Sequence, residues 1–156
     1  MGFDVLYKQT VTLFNRVKGQ NDEVIWKPTV LHKVHLIQNK GAVWDNQGGR
    51  VQDNATLHVR YEISDGDIIV DGKRYYPPKK YQESFGSDDC FTFQYGNNND
   101  FDFFVEGEVD VPGTVSESDY GRHGFYSYAN KKYDNVYAIT SVSKFNLIPH
   151  FEITAR

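Results

Sequence analysis

Five histidines, two carboxylate pairs, one cysteine and one basic run are the side chains here whose types could do chemistry. His32 and His35 stand three apart in a strand-like stretch, so they point to opposite faces and do not chelate one ion as two helical residues could. A metal site is left to His58 or His150, should folding bring either beside another ligand. Glu106 and Glu108 share a strand face and Asp88 and Asp89 are adjacent, as glycoside hydrolysis would need. Nothing around them is apolar enough to hold one acid protonated at neutral pH, so they read as solvated charge. Cys90 could be a thiol nucleophile beside a histidine, but no nucleophile-bearing motif surrounds it, and a small buried hydrophobe is the simpler role. Asn97 to Asp102 offers oxygen ligands for calcium without the loop spacing or acidic end of a calcium motif, and reads as a turn. Lys73 to Tyr81 interleaves four cations with three tyrosines, which could track a nucleic-acid backbone; a strand edge protected by Lys and Pro looks the same. No glycine motif cradles a phosphate. The residues alone therefore assign no catalytic residue, no cofactor and no metal ligand.

Strands must position these groups. From Ala55 to Ile63, Ala55, Leu57, Val59, Tyr61 and Ile63 alternate with Thr56, His58, Arg60 and Glu62, the signature of a strand with one buried and one wet face. Such a strand belongs in an antiparallel sheet, and Leu57, Val59 and Ile63 are expected in the core. Gln9 to Val17 reads as a strand, and Val24 to Trp26 opens another that Pro28 ends or confines to an edge. In Thr29 to Ile37, Val30, His32, Val34 and Leu36 share one face and Thr29, Leu31, Lys33, His35 and Ile37 the other; apolar groups on both imply cover on both sides or a neighbouring subunit. Asn39 to Asn54 reads as a loop with a short strand at Ala42 to Trp44. Asp65-Gly66 and Asp71-Gly72 are hairpin turns, folding Asp67 to Val70 back on the strand before it and leading into Lys73 to Tyr76, where Pro77-Pro78 stops the ladder. Phe91 to Tyr95 and Phe101 to Val105 read as a second hairpin, and Val136 to Val142 with His150 to Thr154 as the closing strands.

Thr114 to Asn135 has little periodicity and reads as a mobile or partner-ordered loop. Its aromatics among glycines make Tyr120, Arg122, Phe125, Tyr126 and Tyr128 the expected contact residues. The predicted fold is all-β: a single domain over residues 1–156, an antiparallel β-barrel or sandwich with long loops and helix limited to a turn or two.

A chain of 156 residues is long enough to bury one substantial core. A net charge of −4 argues against a general phosphate-backbone binder, and one cysteine allows no internal disulfide. No signal-like segment or membrane-length apolar stretch stands out, so the protein is expected to be soluble and unexported, with no membrane partner.

Several stretches together resemble a known family. Val11-Thr12-Leu13-Phe14-Asn15, the run from Trp26 to Val34, Val59-Arg60-Tyr61, Tyr76-Pro77-Pro78-Lys79, Ile139-Thr140-Ser141-Val142 and Pro149-His150-Phe151-Glu152-Ile153 are similar, in order, to minor structural proteins of tailed bacteriophages from the head-completion and neck genes. The resemblance implies a non-enzymatic virion protein without cofactor, assembled in the host bacterial cytoplasm. It would form a hexameric or dodecameric ring joining portal and head to tail. The implied partners are further copies of the chain and the neighbouring portal, adaptor, capsid or tail proteins, with passing contact to packaged DNA. The competing class is a carbohydrate- or protein-binding β-sandwich module, which would present exposed aromatics on one concave face.

Overall fold

The alternation that opens at Ala55 holds as far as Arg60 in the computed structural model, which describes residues 6–19, 21–45, 48–96 and 100–156, by backbone alone within 40–45 and 48–53. Ala55, Leu57 and Val59 are buried, while Thr56, His58 and Arg60 are partly exposed. They lie on β3 (Gly48–Arg60), one of six strands that close an antiparallel barrel with β1 (Gln9–Lys18), β2 (Val24–Asp45), β8 (Phe103–Glu106), β10 (Val136–Phe145) and β11 (His150–Ala155). The order is β1-β8-β10-β11-β3-β2, and β2 returns to β1 to close the ring. Val11, Leu13, Leu31, Val34, Leu57, Phe104, Ile139 and Ile153 fill the interior. Leu57 is paired with Leu36 on one side and Ile153 on the other and is 1% exposed. Leu57→Ala should therefore cost about 2–5 kcal/mol, read as a lower midpoint in urea with unchanged slope.

At Pro28 the edge alternative is the one found, and β2 runs on through Pro28. The proline sits between the β9 pairing at Ile25–Trp26 (β9, Val115–Ser116) and the β3 pairing from His35 onward, where β2 has a neighbour only on its β1 side, the edge position in which a missing amide is tolerated. Further along, Lys33 takes φ 57° and the β1–β2 register slips between Gln9 and Val11, a bulge that adds a residue to β2. The face pattern changes phase there: Thr29 and Leu31 are buried before the bulge, Val34 and Leu36 after it, so the predicted two-sided assignment gives way to a one-sided one. The predicted loop from Asn39 to Asn54 is instead a continuation of β2 and β3, paired from Asn39↔Asn54 through Asp45↔Gly48.

Beyond Arg60 the chain leaves the barrel at Tyr61, which stays buried, and enters a small sheet of β4 (Glu62–Ser64), β5 (Asp67–Val70), β6 (Lys73–Tyr75) and β7 (Cys90–Phe91). Asp67 to Val70 thus folds back on Glu62 to Ser64 only. The break at Tyr61 resets the alternation, and Ile63 is 67% exposed rather than in the core. Val70, Tyr75, Phe91 and Phe93 cap one end of the interior against Tyr61 and Phe151. α1 (Pro78–Glu83) follows with Pro78 at its first position, where no amide proton is needed.

The predicted hairpin of Phe91–Tyr95 with Phe101–Val105 is not a ladder. A backbone bond from Asp102 N to Gln94 O (3.0 Å) joins the two runs, and β8 pairs with β1 and β10. Buried polar side chains do the joining instead: Asn15, in the middle of β1, donates to Thr92 O and to Asp102 Oδ2, both at 2.7 Å. The calcium-like run falls partly outside the described residues at 97–99, and within them Asp100 pairs with Arg16 at 2.7 Å.

The outer wall over β1, β8 and β10 carries a second apolar cluster of Phe14, Trp26, Phe103, Val105, Val115, Phe125, Ala129 and Val136. The segment predicted as a loop covers it: β9, a 3-10 stretch (Glu117–His123) and α2 (Gly124–Lys132). The Glu117 carboxylate accepts from Trp26 Nε1 (3.2 Å) and from Phe125 N (2.6 Å), fixing the start of α2 on the barrel. Gly124, at φ 83°, lies so close that a Cβ there would sit 2.6 Å from that carboxylate. Helix reaches 17% of the chain, more than the turn or two expected.

Candidate functional site

The opposite wall, formed by β2, β3 and β11, has a wet outer face, and antiparallel register sets the side chains on it. His35 lies opposite His58, and His58 opposite Glu152; His150, two residues before Glu152, shares their face. The His35 and His58 rings stack at 5.7 Å between centroids, and those of His58 and His150 at 6.0 Å. The Glu152 carboxylate lies between the two strands, 4.0 Å from His58 Nε2 and 3.8 Å from His150 Nε2. His150 Nδ1–H donates to Ile148 O at 2.6 Å, and Nε2 is the ring nitrogen turned to Glu152. Phe145 stacks on the His150 ring at 4.9 Å and holds it in plane. His58 is partly buried, and that burial, with His35 and His150 beside it, holds its pKa below the ordinary imidazole value against the pull of Glu152. At the far end, Tyr7 stands 5.9 Å edge-on to His35 under the Arg60 guanidinium, and burial raises the Tyr7 phenol.

Three residues along β2 and β3 from His35 and His58, the barrel runs out of strands. β11 ends its pairing at Ala55 and β1 ends at Val34, so among the described residues no third strand borders the ribbon of residues 39–45 and 48–54. Its seven residue pairs would reach roughly 24 Å at about 3.4 Å per residue. At its root the Gln9 side chain stands in for a strand: its amide oxygen accepts from Leu36 N (2.9 Å) and its amide nitrogen donates to Leu36 O (3.4 Å). On the same wall, the β10–β11 turn leaves Leu147 98% and Ile148 57% exposed, beside Phe145.

The residues expected to make contacts divide. Phe125 is not a surface group: it is 1% exposed and packs on Phe14, Trp26, Phe103 and Tyr120. Tyr126 is half-buried against Phe101 and Phe103, and Tyr120 lies against Phe125. Arg122 and Tyr128 are exposed. A nine-residue helix that docks three buried residues on the barrel had no helical period to announce it, since GFYSYANKK spreads its aromatics around the cylinder.

The remaining chemical candidates are held apart or inside. Lys73 donates to Val30 O at 2.8 Å, Arg74 pairs with Asp67 at 3.4 Å, and Lys80 lies over the Tyr76 ring at 4.3 Å. Tyr75 and Tyr81 are turned into the core, so the basic run presents no row of stacking tyrosines. Glu106 accepts from Gln38 (3.0 Å) and Asn135 (2.7 Å), whereas Glu108 is exposed beyond the turn at Gly107. Asp88 pairs with Lys27 at 3.6 Å, and Cys90 is half-buried on β7. His32 is tied to Asp71, whose carboxylate also accepts from the His32 amide at 3.0 Å, and does not join His35. Glu152 was invisible to the sequence reading because only the β3–β11 register brings it to His58.

No helix among the described residues is long and apolar enough to cross a membrane. No curated protein and no solved structure matches the chain. A family of unknown function, DUF6751, matches residues 6–156, and the chain belongs to that family.

Proposed function

We propose that the protein is a non-enzymatic structural subunit of the neck of a tailed-phage virion, built into a ring that joins the portal and head to the tail. The observation that carries this reading is the β2–β3 ribbon, a two-stranded arm with both outer edges unpaired among the described residues. An isolated two-stranded ribbon is marginal in water, and its free edges are templates for a further strand, so a neighbouring subunit is its natural complement. The exposed Phe145, Leu147 and Ile148 on the β10–β11 turn give a second contact of the kind an interface covers. The resemblance of the six sequence stretches to neck proteins supplies the setting, and the ring would be hexameric or dodecameric. The exposed aromatics Phe85, Tyr95, Tyr128 and Phe145 lie on separate elements, which favours assembly over a sugar-binding face.

Replacing residues 40–53 by an Asn-Gly turn between Asn39 and Asn54 tests the proposal, because that turn suits a two-residue hairpin. The shortened protein should unfold within a few degrees of the parent and fail to enter rings or virions when partner proteins are supplied. A paired variant, Leu147→Asp with Ile148→Asp, alters only exposed positions and should also reduce incorporation. Full incorporation of both variants would overturn the reading.

A further inference from the structure

We propose that His58, His150 and Glu152 form a binding site for one divalent transition-metal ion, Zn2+ foremost, on the outer wall of the barrel. One ligand atom from each lies within 4.8 Å of the others. In a tetrahedral zinc site with bonds of about 2.0–2.1 Å, neighbouring ligand atoms are about 3.3 Å apart. Glu152 offers one oxygen 4.0 Å from His58 Nε2 and the other 3.8 Å from His150 Nε2, so side-chain rotation has to draw the ligand atoms together by up to about 1.5 Å, with both strands in place.

The chemistry of the set favours a borderline ion. Two imidazoles and one carboxylate match the donor preference of zinc, copper and nickel, whereas magnesium and calcium take oxygen ligands. The orienting bond that metal-bound histidines almost always make is in place: His150 Nδ1–H points at Ile148 O and its Nε2 faces Glu152. Three protein ligands leave a fourth position on an open face for water. Both strands involved are rigid, since Leu57 and Val59 on β3 and Phe151 and Ile153 on β11 are buried directly beneath the ligands. His58 stands three register positions and His150 five from the Ala155↔Ala55 pair at the root of the β2–β3 arm, so a bound ion would pin β3 to β11 within the wall from which the arm extends. This inference does not rest on the neck assignment.

The test uses the full chain, without a histidine tag and stripped of metal, titrated calorimetrically with ZnCl2 and in parallel with CoCl2 followed by visible absorption. One zinc per chain, a rise in the unfolding temperature with zinc and the strong visible bands of tetrahedral cobalt are expected. His150→Ala and Glu152→Gln should each weaken zinc binding about tenfold or more, equivalent to about 1.4 kcal/mol. His32→Ala, which lies outside the set, should bind as the parent does. Glu152→Gln keeps size and shape, so it decides the matter even where a histidine variant folds poorly. Absence of zinc binding below millimolar concentration, or equal affinity in parent, His150→Ala and Glu152→Gln, overturns the proposal.

Discussion

Asp102→Ala should cost the fold about 3–5 kcal/mol, the scale of two or three buried donors left without an acceptor. The carboxylate is fully buried and accepts four hydrogen bonds, from Asn15 Nδ2 (2.7 Å), Arg16 N (2.8 Å), Gln94 N (2.9 Å) and Gln94 Nε2 (2.8 Å). An alanine leaves those donors facing a void, and each orphaned buried donor costs about 1–3 kcal/mol. The damage would spread, because this group fastens the Phe91–Tyr95 run to β1 where a strand ladder is missing. Gln82 extends the network by donating to Arg16 O and Gln94 Oε1, both at 2.7 Å. Burial pushes the Asp102 pKa up to about 7, while the bonds from Arg16, Gln94 and Asn15 pull it down. A carboxyl whose folded value exceeds its unfolded one keeps its proton longer in the native state. Its contribution is therefore full below about pH 4 and is lost as pH rises through about 7. Urea unfolding across that window should show a downward slope in the parent that Asp102→Ala lacks. A loss under about 1 kcal/mol, or identical slopes, would mean that water replaces the carboxylate.

Phe125→Ala should be of similar size, about 3–5 kcal/mol for a buried aromatic truncated to a methyl. The ring sits 5.1 Å from Phe14, 5.8 Å from Phe103 and 4.8 Å from Tyr120, and helps hold α2 on the outer wall. Tyr128→Ala on the same helix removes a side chain that is 38% exposed but packs on Tyr120 at 4.7 Å, and should cost about 1 kcal/mol, well short of the Phe125 loss. Comparing the two by thermal unfolding separates core from surface on one element. Equal, small effects would mean that the helix does not dock. The contrast also makes Arg122 and Tyr128, rather than Phe125, the positions on this segment at which to probe partner contact.

The barrel was legible because its strands alternate. Leu57 and Val59 on β3 and Phe151 and Ile153 on β11 are buried as their period of two predicts, whereas β1 is buried on both faces from Val11 to Asn15, with Phe14 under the outer cluster. What was not legible came from places where one residue resets the phase or a distant one supplies the partner. Lys33 in the left-handed region shifts β2 by a residue, and Tyr61 turns the chain out of the barrel, so Ile63 lands in solvent. The arm was hidden by Gly41, Gly48 and Gly49, which read as turns yet are accommodated in paired strands. The histidine cluster needed two registers at once, β2 with β3 and β3 with β11, and local spacing contains neither.

One strand, β2, runs unbroken for 22 residues, and its first half is zipped to β1 while its second half enters the arm. A pull on the arm tip along its length would therefore travel down a single backbone into the seam that closes the barrel. There the β1–β2 hydrogen bonds lie across the direction of tension, as do those between β3 and β11 on the other side. Such a pull loads them together in shear, whereas a sideways pull would peel them one after another. The arm is built as a tether with high strength along its axis and low strength across it, and single-molecule extension in the two directions should show the difference as unequal rupture forces.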